Sequence, residues 1–122
     1  MFDQVRTVTE VEAGQAPLPG TKGQVTLQVL NGDPTQGPVV LRVVMEPGAE
    51  IARHFHTGQT ETDYILEGVF INEGQSYPAG TELSVKPGHE HGPHSTNVGV
   101  TFLSMFSGNV DLADFHLADG GS

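Results

Sequence analysis

Residues 48–68 read GAEIARHFHTGQTETDYILEG. Two histidines, His54 and His56, stand two residues apart in this stretch. On a strand that spacing places both imidazoles on one face and Phe55 on the other. Imidazole is the commonest side-chain ligand of transition metals. Thr57-Gly58-Gln59-Thr60 has the composition of a turn. It carries the chain round so that Glu61, at the start of the next strand, faces the same space. A carboxylate beside two imidazoles is a mixed nitrogen–oxygen set suited to a borderline or hard divalent cation. The stretch therefore reads as strand, turn, strand, with metal donors on its inner side.

The same alternation of short apolar runs and breakers extends outward. Upstream, Val25 to Leu30 and Val39 to Met45 read as strands around an Asn31-Gly32-Asp33-Pro34 turn. Downstream, Thr62 to Leu66 and Val69 to Asn72 flank Glu67-Gly68, which reads as a tight hairpin turn. Ser76-Tyr77, Leu83 to Val85 and Val100 to Phe106 complete the series. Thr7 to Glu12 reads as a short strand, Gln15 to Gly20 as a breaker, and Asn109 to Leu117 as a short helix capped by Asn109 or Asp111. Many short strands separated by Gly and Pro predict an all-β sandwich, jelly roll or barrel. One domain is expected over 1–122, with a leader at 1–20, a barrel core at 21–108 and a tail at 109–122.

Composition narrows the function. Five Lys and Arg stand against 15 Asp and Glu, a formal charge of −10 with neutral His. Nucleic acid and anionic membrane surfaces, which need clustered cations, are excluded as partners. The chain lacks Cys, which removes disulfides and thiolate ligands. It has no apolar run long enough for a membrane-spanning helix, and Met1-Phe2-Asp3-Gln4 does not open a signal peptide, so the expected location is cytoplasmic.

Five of the six histidines fall between residues 54 and 94. His89 and His91 share strand parity, and spacing alone does not choose between them as a third ligand. His94 is expected in the pocket beside the metal, where it would donate a hydrogen bond to substrate; Tyr64 or Tyr77 would do likewise. His116 has no partner visible in the sequence. Met45, Phe70, Phe102, Leu103, Met105 and Phe106 are candidates for an apolar pocket wall, about half of which strand alternation can turn inward. Arg53 abuts His54 and is expected to pair with a surface carboxylate or to meet an anionic substrate.

These residues resemble the cupin superfamily. Its first motif is Gly, five residues, His-x-His, three or four residues, Glu, six residues, Gly; Gly48, His54, His56, Glu61 and Gly68 match every position. Its second motif matches at Gly80, Gly88 and His91, with two departures: Lys86 stands where Pro is expected and Ser95 where Asn is expected. Tyr64 to Phe70 and Tyr77 to Gly80 are similar to a branch holding ChrR-type cupin domains and small dioxygenases such as acetylacetone dioxygenase. The resemblance implies a double-stranded β-helix, a cupin jelly roll, with one divalent metal held by His54, His56, Glu61 and His91. Fe(II) is the first expectation, with Zn, Mn or Ni as alternatives. It also implies a homodimer and a small organic substrate, a diketone or hydroxyketone cleaved by a dioxygenase. The alternatives are a non-redox isomerase or lyase and a non-enzymatic metal- or ligand-sensing module.

Overall fold

The computed structural model describes residues 1–31, 38–108, 111 and 113–118. Eleven strands among them run in the order β1 (Ala13–Gln15), β2 (Val25–Val29), β3 (Val39–Met45), β4 (Glu50–Ile51), β5 (His54–Phe55), β6 (Glu61–Asn72), β7 (Gln75–Pro78), β8 (Glu82–Val85), β9 (His94–Ser95), β10 (Val100–Phe106) and β11 (His116–Leu117). All pairings are antiparallel. One layer runs β1-β2-β3-β10-β6, with β8 on the other edge of β6. The second half of β6 pairs with β7 and β9, and β9 with β4. The long strand β6 thus belongs to both layers and curls the sheet into a jelly roll. No helix among the described residues is long and apolar enough to cross a membrane.

The curl has a local cause. Thr101 lies opposite Glu67 and Phe102 opposite Ile65, so Leu66 is the extra residue of a bulge. Gly68 follows with φ +83°. A Cβ there would strike the Gly99 carbonyl oxygen, so only glycine fits. The predicted hairpin at Glu67-Gly68 is therefore a bend within one 12-residue strand. The same Gly that would suit a turn lets β6 change layers.

Alternation then decides what faces inward. In β3, Val39, Leu41, Val43 and Met45 are buried, and the residues between them are not. In β10, Phe102 stands opposite Val43 and Phe106 opposite Val39, filling the space between layers. Fully burying one such side chain contributes about 1.5–3 kcal/mol. On β6 the inward set begins Glu61, Asp63, Ile65, and Ser104 of β10 stands opposite Asp63. One strip of the barrel interior is thereby polar within an otherwise apolar lining.

The ends differ from expectation. Val8–Glu10 forms a 3₁₀ turn, not a strand. The sheet begins at β1, inside the predicted leader and breaker, because Ala13–Gln15 pairs with Thr26–Gln28 of β2. The predicted C-terminal helix is not formed where the chain is described. His116–Leu117 pairs with His54–Phe55 instead, while Phe115 and Ala118 are buried. Tertiary pairing outweighs the weak propensity of so short a segment. Asn109, Val110 and Leu112 of that segment, and residues 119–122 of the tail, lie outside the described residues. So does most of the predicted Asn31-Gly32-Asp33-Pro34 turn, although the Asn31 side chain accepts from Val40 N (3.1 Å) and donates to Pro38 O (3.0 Å).

Candidate metal centre

The histidines meet where the two ends of the barrel wall touch. His54 and His91 form an isolated antiparallel bridge with two reciprocal backbone hydrogen bonds of 2.9 Å. This puts their rings 4.2 Å apart, centroid to centroid. His56, just past β5, lies 4.9 Å from His54 and 5.4 Å from His91. His94, on β9 between β4 and β6, lies 5.5 Å from His54 and 5.2 Å from His91. Glu61 opens β6 and directs Oε1 at His56 Nε2 (3.1 Å) and His91 Nε2 (3.7 Å).

Backbone carbonyls set the tautomers. A carbonyl only accepts, so Nδ1 must donate: His54 to Ala52 O (2.6 Å), His56 to Asp114 O (2.6 Å) and His91 to His89 O (3.3 Å). This leaves the Nε2 of His54 and His91 as lone pairs free for a cation, while His56 Nε2 meets the Glu61 carboxylate. His91 Nε2 and both ring nitrogens of His94 are buried without a hydrogen-bond partner. Native structures rarely leave such atoms unmatched, and a divalent cation is the partner this donor chemistry fits. The donors form two trios that share His91: His54, His91 and His94, and His56, Glu61 and His91, each with ligand atoms within 4.8 Å of one another. A three-histidine cluster able to hold a metal is thus part of the fold.

Electrostatics support neutral imidazoles. Burial, with His91 alongside, brings His54 down to about 4. Burial, with His91 and His54, brings His94 down to about 3. His56 goes the other way: burial opposes its charge, but the hydrogen bond to Glu61 and the Asp114 carbonyl outweigh it. Burial likewise opposes the charge on Glu61, yet His56, His91 and Asp63 hold it well below the usual carboxylate range. Asp63 is pushed well above that range by burial and by the neighbouring Glu61 charge. Two carboxyl groups on one strand face thus take opposite protonation states.

The cluster lies between two spaces. A cavity of about 80 Å³ lies on the inner side, with Leu41, Val43, Phe102, Phe106 and Phe115 in its wall. An opening of about 460 Å³ lies on the other, lined among others by Asn72, Ser84, Lys86 and His89. Asp63 and His94 border both.

The remaining expectations sort by strand parity. Phe102 and Phe106 line the inner cavity, while Met45 and Phe70 are buried, Phe70 against the His94 ring (4.8 Å). Leu103 and Met105 face the other side of β10. Tyr64 is 41% exposed on the outer face and does not line the inner cavity. It alternates with Asp63 and Ile65, which take the inward positions. Tyr77 packs against the core without lining the cavity. His89 is exposed; His116 stacks on Phe55 and meets Asp114. Arg53 pairs with Glu73 (2.6 Å) and Glu90 (3.2 Å).

Sequence reasoning missed Asp63, Asp114 and Phe115. Asp63 was findable, since it shares Glu61's parity. Asp114 and Phe115 were not: Phe115 stacks on His54 at 4.1 Å only because β11 returns to β5 from about 60 residues away.

The family described as ChrR cupin-like domain matches residues 7–111. Among solved structures, the chain is similar to an acetylacetone dioxygenase from Acinetobacter johnsonii (18% identity, 100% of this chain and 83% of that one, TM-score 0.75). It is also similar to the polyketide cyclase RemF from Streptomyces resistomycificus (24%, 91% and 87%, 0.74). A third is an RmlC-like cupin from Shewanella frigidimarina (20%, 90% and 95%, 0.74). Likenesses at these identities carry the fold. No curated protein matched.

Proposed function

The chain belongs to the ChrR cupin-like domain family, and from that premise we propose that it is a metal-dependent enzyme, an oxygenase that cleaves a small diketone or hydroxyketone. The observation that carries the reading is the set of imidazoles whose Nδ1 protons are tied to backbone carbonyls, facing the Glu61 carboxylate in a buried site. In this proposal His54, His56, Glu61 and His91 hold the ion. A divalent metal with open positions supplies Lewis acidity and, if Fe(II), redox reactivity toward dioxygen.

The chain's own residues do the rest. Neutral His54 keeps a lone pair available at neutral pH because burial disfavours its charged form. Glu61 brings one negative charge, and Ser104 Oγ donates to its Oε2 (3.3 Å), fixing the carboxylate's orientation. Phe102, Phe106 and Phe115 give the inner cavity an apolar wall, which strengthens electrostatic interactions beside it. A cavity of about 80 Å³ suits a small substrate rather than a polymer.

The test is oxygen consumption by Fe(II)-loaded protein with a panel of β-diketones and hydroxyketones. Uptake that needs Fe(II) and disappears in His91→Ala supports the reading. Absence of uptake across the panel overturns the oxygenase. Turnover of the same panel with Zn, Mn or Ni would then assign the site to non-redox isomerase or lyase chemistry.

A further inference from the structure

We infer that the opening beside the metal centre is a second substrate subsite and that it takes a carboxylate, held by Lys86 at its rim. The inference rests on the oxygenase reading and narrows its substrate class to a diketone or hydroxyketone that also carries an acid group.

Size comes first. The inner cavity of about 80 Å³ has room for a few waters' worth of substrate. The opening of about 460 Å³ falls in the ordinary range of small-molecule sites, about 300–1,000 Å³. His91 and His94 belong to its lining, so a ligand in the opening reaches the centre. His94 is buried, and both of its ring nitrogens lack a hydrogen-bond partner. One end of a substrate can therefore lie at the metal while the rest fills the opening.

Charge decides what the rest is. The chain has five Lys and Arg against 15 Asp and Glu. Arg6 donates to the Val29 and Leu30 carbonyls, Lys22 meets Glu50, Arg42 donates to Gln28, and Arg53 is shared by Glu73 and Glu90. Lys86 is the one cation whose side chain has no partner among the described residues, and it lines the opening. The acids of the same lining are occupied: Glu73 and Glu90 by Arg53, and Asp63 by Glu61. Asn72 adds an amide whose oxygen accepts from Gly92 N (2.8 Å) and whose nitrogen donates to no described residue. An acidic chain thus keeps its one unpaired ammonium, with a free amide donor, in the wall of its largest opening. A cleft whose unpaired charge has one sign attracts the opposite sign, and a single ammonium matches a carboxylate better than a doubly charged phosphate.

The ammonium stands on a fixed rim. Lys86 and His89 are the ends of a turn closed by His89 N donating to Lys86 O (3.2 Å), with Pro87 and Gly88 (φ +82°) at its centre, the type II pattern. Gly88 N donates to the carbonyl of His56 (2.6 Å), which ties the turn to the strand end that bears a metal ligand. Lys86 is also the position at which the sequence departs from the Pro of the second motif.

The test is isothermal titration of Zn(II)-loaded protein at low salt with succinylacetone, a β-diketone whose carboxylate stands two methylenes away, and with its methyl ester. The acid is expected to bind at least about 5-fold tighter than the ester, a preference that shrinks as salt is added. Lys86→Gln, an exposed replacement, should remove the preference, and Lys86→Arg should keep it. Equal affinities in the parent, a preference that survives Lys86→Gln, or no binding of either probe would overturn the subsite. Oxygen uptake by the Fe(II) form with neutral diketones would, beside any of those results, leave the oxygenase reading standing. A Lys86-dependent preference without oxygen uptake on any substrate would keep the subsite and overturn the oxygenase.

Discussion

Asp114→Ala gives the sharpest test of how the C-terminal segment supports the centre. The Asp114 carboxylate accepts from Thr57 N (2.9 Å to Oδ1), Thr57 Oγ1 (2.7 Å) and Gly58 N (2.8 Å), and it meets His116 Nε2 at 3.0 Å. Its backbone carbonyl accepts from His56 Nδ1. The carboxylate therefore clamps the segment to the turn that follows His56, and Phe115 is thereby laid on His54. Charge-assisted hydrogen bonds are worth about 1.5–3 kcal/mol each, but this side chain is partly exposed, so solvent screening reduces the sum to about 2–3 kcal/mol. Asp114→Asn keeps one acceptor oxygen and should lose about half of that.

The pH dependence has a definite sign. Burial opposes the charge on Asp114, but the donors from Thr57 and Gly58, with His116, outweigh it and lower the carboxyl from its ordinary 3.8 to about 2. A depressed carboxyl contributes stability above the unfolded value and loses it as pH falls through the folded value. The gap between wild type and Asp114→Ala should thus be full at pH 5–7 and close between about 3.8 and about 2. Urea denaturation across that range measures it. A gap under about 0.5 kcal/mol at pH 7, or one that does not close in acid, would refute the clamp. Zn(II) affinity should fall about 10-fold in the same variant, since a ligand loses its orienting contact.

Other outcomes follow from the same contacts. Glu61→Gln removes the partner of His56 Nε2 and the charged donor of the set, so Zn(II) affinity read by isothermal titration should fall about 10–100-fold; an unchanged affinity would show that Glu61 does not hold the ion. Metal-free protein should lose stability on acidification from about pH 6 to 4. His54 and His94, lowered to about 4 and about 3, take up two protons on unfolding, while Asp63, raised by burial and Glu61, gives one back. Glu61, held well below its usual range, adds to the uptake toward pH 4, so urea denaturation should show stability falling with pH by on the order of 1 kcal/mol per unit. Gly68→Ala should cost at least about 2 kcal/mol, because a left-handed φ and a clash with the Gly99 carbonyl coincide there; thermal denaturation reads it.

Much of the centre was legible because its donors lie close in sequence. His54, His56 and Glu61 span one strand and one turn, so period-two geometry and a short loop suffice to bring them together. Val39–Met45 and Val100–Phe106 were readable for a related reason: buried strands announce themselves as β-branched and aromatic runs. Gly68 misled, since a positive-φ glycine serves a hairpin and a bulge equally well, and only the register of β10 distinguishes them. Tyr64 faces outward because the phase of β6, not its composition, decides which residues face the cavity.

What the amino-acid sequence determined by itself is local: the strand periodicity, the spacing of the first three donors, the absence of thiolate ligands and the net acidic charge. What only the tertiary structure decided is long-range. The His54–His91 bridge sets the third ring, and the antiparallel placement of β9 turns His94 toward the same point. The register of β6 against β10 sets Asp63 opposite Ser104, whose hydroxyl reaches Glu61. The return of β11 lays Phe115 over His54. Each of these depends on pairing between segments tens of residues apart, and no local pattern encodes such a pairing, because its free energy is released only when the barrel closes.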